Sequence, residues 1–210
     1  MIMTKIKICG ITNVEDARCA IENGADYVGL IFAPSRRCVI KGAAKMITDA
    51  NQGFSAWVGV FMNGKKKLIE EFLQGLPINI LQFHGDETPA FCNYFINRGY
   101  TVIKTIPVKG DRLGLDPRAY DKVPYFLFDS VVDGKSGGTG VPFPWAIIDT
   151  LGLREFSSRM VLSGGLAPEN VGAAIKQVAP YAVDASSCLE KSPGIKDHQL
   201  IKDFIIAARS

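Results

Sequence analysis

The chain has 210 residues, 47% of them apolar, which is long enough and apolar enough to bury a full core as one domain over residues 1–210 and excludes a disordered polymer. A formal charge of +3, with Lys and Arg dispersed, cannot build the basic stripe that nucleic-acid binding needs, and no apolar run approaches the roughly 18 residues of a membrane span. Lysines break the first apolar segment, so no signal peptide and a cytoplasmic setting are expected, and five cysteines without close pairs read as reduced thiols.

In chain order, residues 5–9 alternate as a short strand that stops at Cys9, turns on Gly10 and passes through Thr12-Asn13, good capping residues, into a helix over 13–23. Further strand-like runs follow at 27–32, 56–61, 78–83, 101–106, 125–128, 160–162 and 181–183. Helical stretches fill the gaps at 42–51, 65–73, 89–98, 144–151, 168–177 and 197–208. The fifth gap, 109–123, is interrupted by Gly110, Gly114 and Pro117, and a short or degraded helix is expected there. Eight strand ends about 25 residues apart leave room for one helix and two short loops per unit, which implies a parallel sheet, either closed or doubly wound. Polar residues cluster after nearly every strand and not at one switch point, which favours a closed (β/α)8 barrel, an α/β fold of TIM-barrel type with short loops.

Two motifs fail on inspection. Gly134-Lys135-Ser136 lacks the upstream glycine of a phosphate-binding P-loop, because Asp129 stands in that place, and Gly137-Gly138-Thr139-Gly140 lacks the third glycine of a dinucleotide fingerprint. The latter reads as a glycine loop able to close over a ligand. Ser163-Gly164-Gly165 and Asp184-Ala185-Ser186-Ser187 follow strands seven and eight, where barrels commonly bind phosphate with backbone N–H groups. Ordinary turn chemistry is the alternative for either loop taken alone.

Cys9 is a reactive thiol at a strand end or a small buried hydrophobe, and Asp129 is a functional carboxyl at an apolar strand's mouth or a cap. Arg37 could grip a carboxylate with two hydrogen bonds, although an exposed loop arginine is the simpler reading. With only His84 and His198 present, no metal is expected.

Taken together, Lys7-Ile8-Cys9-Gly10-Ile11-Thr12, Phe32-Ala33-Pro34-Ser35-Arg36-Arg37, Gln82-Phe83-His84-Gly85, Phe128-Asp129 with the glycine loop, Ser163-Gly164-Gly165-Leu166 and Asp184-Ala185-Ser186-Ser187 resemble the phosphoribosylanthranilate isomerase family of tryptophan biosynthesis, end to end. The resemblance implies a cofactor-free Amadori rearrangement of a phosphosugar-anthranilate substrate, with Asp129 as acid and Cys9 as base. It places Arg37 at the anthranilate carboxylate and Gly164, Gly165, Ser186 and Ser187 at the phosphate. Asp184, Gln82 and His84 complete the expected substrate-binding set.

The chain departs from the family pattern at Cys38, Cys188, Val141 and Pro144. A phosphosugar barrel that is non-catalytic or differently specific is the alternative. The chemistry also needs a thiolate beside a protonated carboxyl, the reverse of their ordinary states at neutral pH. Phe126 and Phe128 are expected to raise the Asp129 pKa, and Lys7, on the same strand face as Cys9, to lower that of the thiol.

Overall fold

The structure, a computed structural model, describes residues 3–132, 135–136 and 144–210. Eight parallel strands form its centre: β1 (Lys5–Cys9), β2 (Tyr27–Ile31), β3 (Trp57–Phe61), β4 (Ile78–Phe83), β5 (Thr101–Lys109), β6 (Tyr125–Val132), β7 (Met160–Leu162) and β8 (Ala182–Ala185). Each pairs in parallel with the next, and β8 returns to β1 with Lys7 opposite Asp184, so the sheet closes into a barrel.

Outside it lie α1 (Val14–Glu22), α2 (Lys41–Ala50), α3 (Lys66–Leu73), α4 (Pro89–Ile96), α5 (Ile147–Thr150), α6 (Val171–Val178) and α7 (His198–Arg209). Their starts follow capping chemistry where the sequence supplies it. The Asn13 side chain accepts from the Asp16 N–H, Thr88 caps α4 with Pro89 at its first turn, and Asp197 caps α7.

Alternation along the strands sorts the chain into two apolar layers. Ile6, Ile8, Val28, Leu30, Phe126, Phe128 and Val183 face outward against the helices, while Cys9, Val58, Val60, Ile103, Leu127, Val161 and Ala182 fill the interior. At the N-terminal end the hydroxyls of Tyr27 and Tyr181 share a 2.6 Å hydrogen bond, and Tyr125 stacks on Tyr181 at 4.6 Å. These rings line a small cavity of about 150 Å³ beneath Lys7. Among the described residues no helix is long and apolar enough to cross a membrane.

The expected units are present with three differences. The fifth gap holds only a 3-10 turn, Pro117–Ala119, beside a two-residue strand at Arg112–Leu113, as its glycines and proline suggested. β5 and β6 run three and four residues beyond their expected ends because their pairing continues through Pro107 opposite Asp129 and Val108 opposite Ser130. Asp129 therefore sits inside a strand. The helix expected over 144–151 shrinks to α5, after which Gly152 takes a positive φ and a 3-10 segment, Leu153–Arg159, leads into β7. Lys135–Ser136 pairs back on Val131 and Val132 as a short antiparallel ladder. The glycine loop Gly137–Gly140 and Val141 lie outside the described residues.

Candidate active site

The C-terminal mouth of the barrel opens into a cavity of about 510 Å³, within the range of small-molecule sites. Cys9, Arg37, Gln82, His84, Asp129, Gly164, Gly165, Asp184, Ser186 and Ser187 all line it, so residues up to 178 positions apart converge on one space. The reason is the pleat. Lys7 and Cys9 on β1, Gln82 on β4, Thr105 on β5, Asp129 on β6 and Asp184 on β8 occupy inward positions of their strands, while Ser163 and His84 directly follow β7 and β4.

Close packing makes room for these groups. A Cβ at Gly29 would lie 2.7 Å from the Cys9 sulfur, so β2 must be bare there for the thiol to fit. Gly10 turns the chain after Cys9 with a φ of +74°, and a Cβ on it would strike both Arg37 and the Ser186 hydroxyl.

Asp129 is 4% exposed, and its carboxyl is pushed up to about 7, first by desolvation and then by the neighbouring Asp184 charge. The direction is the expected one, but the cause is not the flanking rings: Phe126 and Phe128 point outward, and the barrel interior supplies the burial.

For Cys9 the expected sign was wrong. Lys7 does pull its pKa down through its charge, yet burial of the thiol outweighs this and the net shift is upward. For Lys7 burial alone would act in the other direction and lower the pKa, but Asp184, at 2.7 Å, and Cys9 hold the ammonium above its ordinary value. Asp184 also accepts from the Ser163 hydroxyl at 3.0 Å.

His84 places Nε2 at 3.6 Å from the Asp129 carboxylate, and its Nδ1 lies 3.1 Å from both Gln82 and Thr105. Burial first, then the charge of Lys7, lowers its pKa to about 4, so the ring is neutral at physiological pH.

Arg37 is not the free grip that the sequence suggested. Its Nε and Nη2 donate to the two oxygens of Glu190, at 2.6 and 2.8 Å, and the buried Lys196 donates to the same carboxylate and to the Ser186 carbonyl, both at 2.9 Å. The guanidinium is thus fixed in orientation at the cavity wall, with part of its donor edge already committed. Sequence reasoning missed Glu190 and Lys196, which reach the site through a short antiparallel hairpin, Glu190–Ser192 with Ile195–Lys196, whose pairing leaves no periodic signal.

The strand-seven and strand-eight loops meet as expected. Gly164 and Gly165 have consecutive positive φ values of 87° and 66°, and a Cβ at Gly164 would lie 2.6 Å from the Ser130 nitrogen. Ser186 begins a 3-10 turn, Ser187–Leu189, and its hydroxyl is buried with no protein partner among the described residues. The Oε1 of Gln82 is in the same state. Two unsatisfied polar atoms on the wall of one cavity are what a polar ligand would complete.

Cys188 lines the wall beside them, while Cys38 is exposed. No cluster of His, Cys, Asp and Glu able to hold a metal ion occurs among the described residues.

A (β/α)8 barrel whose mouth gathers a buried carboxyl, a thiol, an arginine and two glycine- and serine-bearing loops in one cavity has the layout of a small-molecule enzyme of the barrel class. The family profile described as N-(5'phosphoribosyl)anthranilate (PRA) isomerase matches residues 6–207. The N-(5'-phosphoribosyl)anthranilate isomerase of Pseudomonas fluorescens strain SBW25 is 45% identical, over 100% of this chain and 98% of that protein. Among solved structures, a monomeric form of the Thermotoga maritima isomerase superposes with a TM-score of 0.84 at 38% identity, covering 98% of each chain. A phosphoribosyl anthranilate isomerase in complex with reduced 1-(o-carboxyphenylamino)-1-deoxyribulose 5-phosphate gives 0.82, at the same identity and coverage. The chain belongs to the N-(5'-phosphoribosyl)anthranilate isomerase family.

Proposed function

We propose that Cys9 and Asp129 are the base and the acid by which this chain, one barrel domain over residues 1–210 working in the cytoplasm, converts N-(5'-phosphoribosyl)anthranilate into 1-(2-carboxyphenylamino)-1-deoxyribulose 5-phosphate. Protonated Asp129 donates to the furanose ring oxygen, the C1–O bond breaks, and the nitrogen lone pair closes a C=N bond as the sugar opens. The Cys9 thiolate then takes the proton from C2. The released electron pair forms C1=C2 and neutralises the iminium nitrogen, and the resulting enolamine moves its hydroxyl proton to C1 to give the ketone. The reaction balances within the substrate and calls for no cofactor. One proton has left Asp129 and one has reached Cys9, so a proton must return between them before the next turn.

The binding roles divide by end. Arg37, held by Glu190, faces the anthranilate carboxylate, while Gly164, Gly165, Ser186 and Ser187 take the phosphate, with the buried Lys196 behind the Ser186 carbonyl adding positive charge. Asp184, Gln82 and His84 face the sugar between them.

The observation that carries this reading is the raised pKa of Asp129. A carboxyl kept partly protonated at neutral pH beside a thiol in one cavity is what an acid–base isomerisation needs. Incubating the purified chain with phosphoribosylanthranilate should consume anthranilate fluorescence at a catalytic rate. Tight binding without loss of fluorescence would make the chain a non-catalytic phosphosugar barrel.

A further inference from the structure

Lys7 and Asp184 are placed strangely for a structural pair. Both are buried, at 1% and 5% exposure, in the interior of the barrel, Asp184 on the cavity wall and Lys7 beneath it. A buried ion pair seldom stabilises a fold better than apolar residues of the same volume would, so packing alone does not account for it. Its orientation does.

On β1, Lys7 and Cys9 share the inward face, two residues apart, and of the charges that act on the sulfur the Lys7 ammonium is the strongest. On the other side the pairing of β1 with β8 sets Lys7 opposite Asp184. Ser163, just past β7, donates to Asp184 at 3.0 Å, and β7 lies between β8 and β6, which carries Asp129. The order around the mouth is therefore Cys9, ammonium, carboxylate, Ser163, Asp129.

We propose that the Lys7–Asp184 pair is an oriented dipole that positions charge for catalysis, with its cationic end against the base Cys9 and its anionic end against the acid Asp129. This rests on the acid and base roles assigned above.

Coulomb energy falls with distance, and all four groups are nearly dry, so each catalytic group responds chiefly to the nearer pole. Of the two poles, Lys7 has the larger effect on Cys9 and favours the thiolate, whereas Asp184 has the larger effect on Asp129 and favours the protonated acid. The other groups facing these sites do not reverse the pattern. Cys9 also feels Lys196, which favours the thiolate, and its field acts on Arg37, whose charge is matched by Glu190. At Asp129 the Ser130 backbone N–H and Ser163 each favour the carboxylate less than Asp184 opposes it, and the facing His84 is neutral. The dipole works against desolvation at Cys9 and with it at Asp129. A purely structural ion pair would serve equally well in either direction.

The test therefore reverses it. In a Cys38→Ser background, Cys9 alkylation by iodoacetamide is followed against pH by peptide mass spectrometry, which reads thiolate content without any catalysis. Lys7→Met should slow alkylation by about tenfold near neutral pH, while Lys7→Arg should hold the rate within about threefold of the parent. Asp184→Asn should move to lower pH the break near pH ~7 in the kcat profile, which reports Asp129 because this carboxyl titrates below the thiol. The exchanged double variant, Lys7→Asp with Asp184→Lys, keeps an ion pair but should show both losses, with kcat falling by about tenfold or more.

Superimposable alkylation profiles for the parent and Lys7→Met, or a parental pH profile in the exchanged variant, would overturn the proposal. Should Lys7→Met or the exchanged pair not fold, Asp184→Asn decides alone: an unmoved break near pH ~7 sinks the proposal. If Cys9→Ser itself retains turnover, the assigned base is wrong, an outcome the alkylation experiment leaves separate because it measures ionisation and not rate.

Discussion

Replacing Asp129 by Asn should make the protein more stable at neutral pH while removing most of its activity. The carboxyl ordinarily titrates near 3.9, and in the folded protein it is pushed up to about 7, chiefly by burial. The folded state therefore holds this proton more tightly than the unfolded chain does. Stability linked to the group is fully present below about pH 4 and is lost as pH rises towards 7, reaching a cost of about 4 kcal/mol at neutral pH and above. Asn fills nearly the same volume, carries no charge and can still accept from the Ser130 N–H, so it should recover about 2 to 4 kcal/mol at pH ~7.5. For a chain of this length that is a rise in Tm of roughly 5 to 15 °C. Near pH ~4.5 the gain should shrink to about 1 kcal/mol or less. Turnover should fall by at least ~100-fold with little change in KM, because the lost group acts in the transition state. Urea and thermal melts of both proteins at the two pH values, beside initial rates, measure all of this. A variant that is no more stable at pH ~7.5, or equally more stable at both, would refute the argument that desolvation raises this carboxyl.

Cys9→Ser should cut kcat by at least ~100-fold with KM nearly unchanged, and iodoacetamide should inactivate the enzyme with protection by product; near-normal turnover in Cys9→Ala would reduce the thiol to packing. Arg37→Ala should weaken substrate binding by about 2 to 5 kcal/mol, read in KM, while Arg36→Ala should be tolerated; the reverse result would seat the carboxylate on Arg36, which lines the same cavity. Inorganic phosphate should compete with substrate, and Ser186→Asp should raise KM sharply by setting like charges together; an unchanged KM would take Ser186 out of the phosphate site.

Much of this site was legible because period-two alternation states which side chains enter a barrel. Cys9 and Asp129 could be found by that rule and by their places near strand ends. The electrostatics were harder to read. A sequence shows that Lys7 is two residues from Cys9, but it does not show how dry the thiol is, and dryness decided the sign of the shift. Phe126 and Phe128 misled in a related way: neighbours in sequence on a strand are on opposite faces, so they cannot desolvate Asp129. Arg37, Glu190 and Lys196 form a cluster only because a short hairpin after β8 folds back over the loop after β2, and nothing local in 153 residues of separation announces it.

The opposite behaviour of the two groups proposed as acid and base has one cause. Burial disfavours charge, and in the proposed roles Asp129 works neutral while Cys9 works as an anion, so the same dry interior moves the acid towards its active state and the base away from it. For Asp129 the gain is large: about half of the molecules hold the proton at pH ~7, against about 0.1% for an unshifted carboxyl. Cys9 must recover its loss from nearby positive charge. Lys7 supplies some of it permanently. On the proposed roles the substrate supplies the rest, because protonating the ring oxygen creates an iminium whose positive charge lies one bond from the carbon that loses its proton to sulfur. Ring opening then has to precede proton abstraction. A substrate analogue whose ring oxygen is replaced by CH2 cannot form that cation, and its C2 proton should not exchange with solvent deuterium at a measurable rate even though the thiol is in place. Exchange at the rate seen with substrate would mean that the thiolate acts without help from the iminium.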